Sequence, residues 1–250
     1  MASVTQRINQ IKQPYGGYLN IKNFDIFYIN DGNILNEKEN VNPSTVGLVV
    51  DYMSRFMTGT VITEAFKISI LGALIANQLD VAAEYLNNIT GLDDNSIFYA
   101  CKICGFDVAF RAGIEHFSDT KHINPNKDTI ENIRIMINRS INFFKDFGPV
   151  LVDGFTFEGG YTETINAGDG DFLTKDTLFD FKVSKKEPTS KYTLQILIYY
   201  IMGLHSIHSY FKDITNIGLF NPRLNKIYIC PVERINKDII NQIEKEIICY

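Results

Sequence analysis

Gly168-Asp-Gly-Asp-Phe-Leu-Thr-Lys-Asp-Thr-Leu-Phe-Asp-Phe-Lys182 is the stretch whose reading decides the fold. Two short apolar runs, Phe172-Leu173 and Leu178-Phe179, flank the polar break Thr174-Lys175-Asp176-Thr177, a pattern that reads as a β-hairpin. With Lys175 and Asp176 at the tip, Thr174 faces Thr177, Leu173 faces Leu178, Phe172 faces Phe179 and Asp171 faces Asp180. Side chains opposite one another on antiparallel strands have Cβ atoms about 5 Å apart. Two carboxylates at that spacing repel unless a cation lies between them, and a hard cation ligated by oxygens resolves the conflict. Alternation sends Leu178, Asp180 and Lys182 to one face and Phe179, Phe181 and Val183 to the other. The aromatic face suits a core and the Asp180/Lys182 face suits polar chemistry. An exposed hairpin with solvated Asp and Lys has the same local pattern. The tip lacks the Asn-Gly or Asp-Gly of a two-residue turn, so the hairpin alone leaves both readings open.

Outward from this hairpin the pattern changes on each side. Val150 to Ile165, rich in Val, Phe, Thr and Tyr, favours strands. Downstream, Lys191 to Tyr210 reads as a helix, Thr215 to Phe220 and Lys226 to Val232 as strands joined by a turn at Asn221–Asn225, and Ile235 to Ile248 as an amphipathic helix. Residues 1 to 40 are polar and irregular, with a short strand near Phe24 to Ile29. Asn42-Pro-Ser-Thr marks a helix start, after which Val49, Tyr52, Met53 and Phe56 form one apolar stripe. Further helices are expected over 61–78, 80–89, 95–110 and from Pro125-Asn126-Lys127-Asp128 to Phe147, where Gly148-Pro149 ends the run. The expected organisation is a mainly helical N-terminal region, 1–147, and an α/β region, 148–250, with the two able to form one compact domain.

Asp171 followed by Asp180-Phe181-Lys182 resembles the PD-(D/E)xK nuclease superfamily, whose pattern is an Asp at the end of one strand and Asp/Glu-x-Lys on the next. Gly168 to Phe172 is similar to the family's Gly-x-x-Asp-hydrophobic lead-in. Gln195-Ile-Leu-Ile-Tyr199 is similar to the Gln-x-x-x-Tyr helix motif of RecB-like and Cas4-like members, and its two polar residues, four apart, share a helix face. The resemblance covers roughly residues 150 to 232. It implies a restriction-endonuclease-like α/β (α+β) core: a mixed central sheet flanked by helices, here behind a mainly helical N-terminal region. It also implies a metal-dependent deoxyribonuclease in which Asp171 and Asp180 ligate Mg²⁺ or Mn²⁺. Lys182 would orient the attacking water or neutralise developing charge, while Gln195 and Tyr199 bracket the site or contact the nucleic-acid backbone. Related enzymes carry another acidic residue on a helix before the first strand, and RecB-like ones often a His. Glu131, Glu158 and Glu163 are candidates for that acid, with Glu115-His116 further upstream and Asp169 a weaker ligand candidate. None has a distinguishing pattern.

Composition bounds these readings. The net charge of −5 argues against an avid, non-specific DNA coat protein. A nuclease needs only a local basic patch, which Lys182, Lys185, Lys186 and Lys191 can supply; the same stretch also reads as a solvated linker. Cys101 and Cys104 form one Cys-x-x-Cys, while Cys230 and Cys249 are isolated. Without a second ligand pair, buried thiols are favoured over zinc or an iron–sulfur cluster. The N-terminus has no apolar signal core. Residues 192–211 lack charge but carry Gln195, His205, Ser206, His208 and Ser209, so a sheet-covering helix is favoured over a membrane span. A cytoplasmic, non-membrane protein acting on DNA is expected, and abundant Asn, Ile and Lys suit an AT-rich bacterial or phage genome. The rival expectation is a catalytically inactive PD-(D/E)xK-fold module that binds nucleic acid or protein. Under either reading the N-terminal helical region is a candidate surface for a protein partner or a second copy.

Overall fold

The computed structural model describes residues 2–250 and divides the chain into two units, Met1–Ile29 with Phe143–Tyr250, and Asn30–Asn142. Composition places its division at 147/148, whereas the structure groups the first 29 residues with the β-rich part, because a strand from that segment completes the sheet. That unit begins with β1 (Ala2–Ser3), α1 (Val4–Gln10) and β2 (Asp25–Tyr28). Ser3 and Gln6 start α1 with a reciprocal capping box.

The helical unit contains α2 (Pro43–Met57), α3 (Ile62–Ala65), α4 (Lys67–Ile75), α5 (Leu79–Asn87), α6 (Asp94–Cys104), α7 (Asp107–Arg111) and most of α8 (Lys127–Phe147). Asn42 caps α2 by accepting from the Ser44 N–H, with Pro43 in the first turn. Val49, Tyr52 and Met53 of its stripe are buried. Cys101 and Cys104 are free and buried in α6, and burial pushes the Cys101 thiol up to about 12.

The last turn of α8 returns the chain to the first unit, which continues as β3 (Val152–Phe155), β4 (Ile165–Ala167), β5 (Gly170–Leu173) and β6 (Thr177–Phe181). It ends with α9 (Ser190–His205), β7 (Asn216–Asn221), β8 (Lys226–Pro231) and α10 (Lys237–Gln242). The main sheet has the order β2-β8-β7-β6-β5-β3. Within that sheet only β6 and β7 run parallel, joined through α9, and its other pairs are antiparallel; β1 and β4 form a separate parallel pair. The hairpin register is the one read from the sequence, Phe172 against Phe179 and Leu173 against Leu178.

The two faces of this sheet bury different chemistry. Phe172, Phe179 and Phe220 pack on Phe143 from the end of α8, whose ring stacks on Phe220 at 4.1 Å and meets Phe179 edge-on at 5.0 Å. Leu173, Leu178, Ile217 and Leu219 face the other way, into a cluster with Leu194, Leu197, Ile198 and Ile201 of α9. This is why α9 is apolar nearly all round: it lies over the sheet. No described helix is long and apolar enough to cross a membrane.

Five expected elements end differently: the helix expected over 61–78 is broken at Phe66 into α3 and α4, the one expected over 95–110 is broken at Gly105-Phe106 into α6 and α7, and three elements of the sheet unit differ as follows. Only Val152–Phe155 of the stretch to Ile165 joins the main sheet. The residues after it turn back, with Gly160 N–H on the Phe157 carbonyl (2.7 Å) and Thr162 Oγ1 on the Ile248 carbonyl (2.7 Å). α9 stops at His205, where Ser206 takes extended backbone and its hydroxyl donates to the Gly203 carbonyl. The closing helix finishes as a π-turn, Ile243–Ile248, whose Glu246 and Ile247 carbonyls accept from Arg7 of α1.

Candidate functional site

The α9 side of the sheet carries Asp171, Asp180 and Lys182. The parity that buries Leu173 and Leu178 under α9 sends Asp171 and Asp180 the same way. Phe172 and Phe179, alternating with them, anchor the opposite face. Asp171 Oδ2 accepts the backbone N–H of Phe181, which ties the end of β6 to β5. The Lys182 N–H donates to the Phe220 carbonyl at 2.9 Å and extends the β6–β7 pairing to that residue.

Asp180 is buried, and Lys182 Nζ lies 2.9 Å from its Oδ1 and 2.7 Å from its Oδ2. Only the Oδ1 contact has hydrogen-bond geometry; Oδ2 is buried with no hydrogen-bond donor. That oxygen is compensated by the charge of the Lys182 ammonium 2.7 Å away. Burial holds the Asp180 carboxyl above the usual range, against the opposing pull of Lys182 and with a push from Asp169. Burial works against the Lys182 ammonium, but the joint charge of Asp180 and Asp171 outweighs it and keeps that ammonium protonated above the ordinary lysine range.

α9 lays three polar side chains beside this pair. The Tyr192 ring sits 5.3 Å from the Lys182 ammonium, a cation–π contact in the helix's first turn. One turn on, Gln195 Nε2 donates to the Tyr199 hydroxyl oxygen at 2.9 Å. Tyr199 is buried against Phe155 and Phe157, and burial together with the charges of Asp180, Asp171 and Asp169 pushes its phenol far above the ordinary tyrosine value. The helical spacing of Gln195 and Tyr199 thus produces a direct hydrogen bond.

The structure therefore brings Asp171, Asp180, Lys182, Gln195 and Tyr199 to one face and adds Tyr192, which depends on the phase of α9 and has no sequence signal of its own. Asp169 is exposed at the entry to β5, its charge felt by Asp180 and Tyr199. Glu158 is held by His208 (2.7 Å) and Thr156 (2.7 Å), Glu131 pairs with Arg134, and Glu163 is exposed. Among the described residues no three His, Cys, Asp or Glu side chains gather into a metal-holding group. What is present is a pair of hard oxygen donors, one of them buried against the Lys182 ammonium. That fits a small dication such as Mg²⁺, which keeps several waters and takes one or two carboxylates from the protein. No protein-family model, curated protein or solved structure matches the chain.

Proposed function

We infer that the protein is a metal-dependent nuclease of the PD-(D/E)xK type, RecB-like or Cas4-like, hydrolysing phosphodiester bonds of DNA. The observation that carries this reading is the gathering of the buried Asp180 carboxylate, Asp171 and the Lys182 ammonium on the α9 side of the sheet. The topology supports it: the antiparallel run β3-β5-β6, the crossover helix α9 and the parallel β7, preceded by the helix α8, follow the order that the resemblance implies for the core.

Asp171 and Asp180 would hold Mg²⁺ or Mn²⁺, which when bound activates water and offsets charge on a phosphate. Lys182 presents an ammonium fixed by Asp180, suited to stabilise charge that develops on a phosphate oxygen. Because the Tyr199 oxygen accepts from Gln195, its O–H would serve as a donor to a phosphate oxygen. A second reading, motivated by the acidic net charge of −5, is a binding module with this fold and no catalysis.

Cleavage of labelled single- and double-stranded DNA with Mg²⁺ or Mn²⁺ decides between them. Wild type is expected to cut, and Asp180→Ala and Lys182→Ala to lose the activity. Cleavage that survives either substitution refutes the site; no cleavage of any DNA or RNA favours the binding reading. Terbium luminescence gives an independent readout, in which wild type sensitises the ion and the Asp171→Asn/Asp180→Asn chain does not.

A further inference from the structure

In a chain of net charge −5, the first 24 residues hold Arg7, Lys12 and Lys22 and no Asp or Glu. This segment is fastened to the first turn of α9. Gln13 Nε2 donates to the Ser190 carbonyl (3.1 Å), Thr193 Oγ1 to the Leu19 carbonyl (2.6 Å) and Lys191 Nζ to Asn9 Oδ1 (2.7 Å). Gly17 lies so close that a Cβ there would come within 2.6 Å of the Ser190 Cβ. The same turn of α9 carries Tyr192 against Lys182, and the chain reaches it through the loop with exposed Lys185 and Lys186. Glu187, the only acid of that loop, is engaged by Lys226 and Tyr228. Lys191 is thus held on the N-terminal segment at the start of the helix that lines the candidate site, one loop away from Lys185 and Lys186.

One aromatic side chain in this region has no structural explanation. Residues Pro14 to Gly17 form a tight turn, closed by Gly17 N–H on the Pro14 carbonyl (2.9 Å), with Gly16 at φ +84°. Tyr15 stands at its tip, fully exposed, on a turn that Gly17 seats against α9. A ring held out in water buries nothing within the chain. It is the arrangement on which an unpaired base stacks while ammonium groups take the adjoining phosphates. A duplex hides its base faces and offers such a ring nothing.

We propose that this rim docks an unpaired nucleic-acid strand, with Tyr15 stacked on a base and Lys12, Lys22, Lys185, Lys186 and Lys191 along the backbone, and leads it towards Asp171, Asp180 and Lys182. The delivery rests on the nuclease reading; the docking does not. The test is fluorescence anisotropy of the wild-type chain in EDTA, where no cleavage occurs, with labelled oligothymidylate of about 15 nucleotides, within the known span of strand-binding sites, and with a blunt duplex. The single strand is expected to bind more tightly. Tyr15→Ala, which removes no buried contact, weakens single-strand binding about 5- to 100-fold and leaves duplex binding unchanged. Lys185→Gln/Lys186→Gln lowers the slope of log K against log salt by about 1.4. Equal binding of strand and duplex, a neutral Tyr15→Ala, or preference for an acidic polypeptide over the strand overturns the proposal. A chain that binds as described but cuts nothing keeps the docking surface and removes the nuclease; a chain that cuts but ignores Tyr15 does the reverse.

Discussion

Replacing Lys182 by Met tests why a charged pair lies under α9. The Asp180 side chain is 3% exposed and that of Lys182 22%. Removing one member of a buried pair costs about 3–5 kcal/mol, because the charge left behind loses its compensation. The two members are not equivalent. Without Lys182, the Asp180 carboxylate stays buried with one oxygen already lacking a donor, so a loss of about 3 kcal/mol or more is expected from that range. Without Asp180, the ammonium of Lys182 still reaches water and keeps the Tyr192 ring, while a Leu at 180 joins Leu178 and Leu219. Asp180→Leu is therefore expected to cost about 1 kcal/mol, the centre of ordinary substitutions. Replacing a whole buried pair by apolar groups of similar volume is neutral or stabilising, so Asp180→Leu/Lys182→Met should equal or exceed wild type. Urea unfolding followed by circular dichroism reads the order, with amide exchange in β6 and α9 isolating the unit that holds the site. The Lys182→Met loss corresponds to a shift of about a hundredfold or more in the folded-to-unfolded ratio. A double variant as unstable as Lys182→Met refutes the reasoning. The pair would then be an architectural element of the sheet, and its burial would no longer argue for chemistry.

Three further outcomes are expected. Asp107 accepts from Tyr52 (2.7 Å), Ser69 and Arg111 (3.4 Å), and burial above all holds its carboxyl over its ordinary 3.8. The native state then binds more protons than the unfolded chain between 3.8 and that raised value. Stability of the helical unit falls as pH rises through this window, and urea midpoints at a series of pH values should show Asp107→Asn flattening the slope. The Glu158 carboxyl, held to about 2 first by its hydrogen bond to His208 and then by Thr156, should titrate near that value by carboxyl NMR. His208→Ala should return it towards 4.5, and the stability it contributes is present above 4.5 and lost as pH falls towards 2. Gly170→Ala places a Cβ inside the van der Waals envelope of the Phe155 ring. It should cost about 1–3 kcal/mol in thermal unfolding, as overpacking does, and weaken terbium binding by displacing the strand that carries Asp171.

The features legible in the chain are those whose signal is local. Phe172-Leu173 and Leu178-Phe179 read as a hairpin because a two-residue period and a polar break need only neighbours, and the same parity places Asp171 and Asp180 on one face. Gln195 and Tyr199 meet because four residues is one helical turn. What escaped the reading depends on pairing across long stretches of chain. β2 completes the sheet edge against β8, with Ile26 opposite Tyr228, a partnership no local pattern announces. The first 29 residues therefore read as a polar preamble to the helices, when their role is to close the sheet and brace α9. The candidate site divides in the same way. Its carboxylates and lysine come from a short motif, but the burial of Asp180, the ring over Lys182 and the fastening of the N-terminal segment to α9 arise only when β6, α9 and that segment are brought together. A motif of this kind states which atoms could react. Which of them is buried, and from which side a polyanion could approach, is set by contacts distant in sequence, and those contacts turn a common triplet into a testable site.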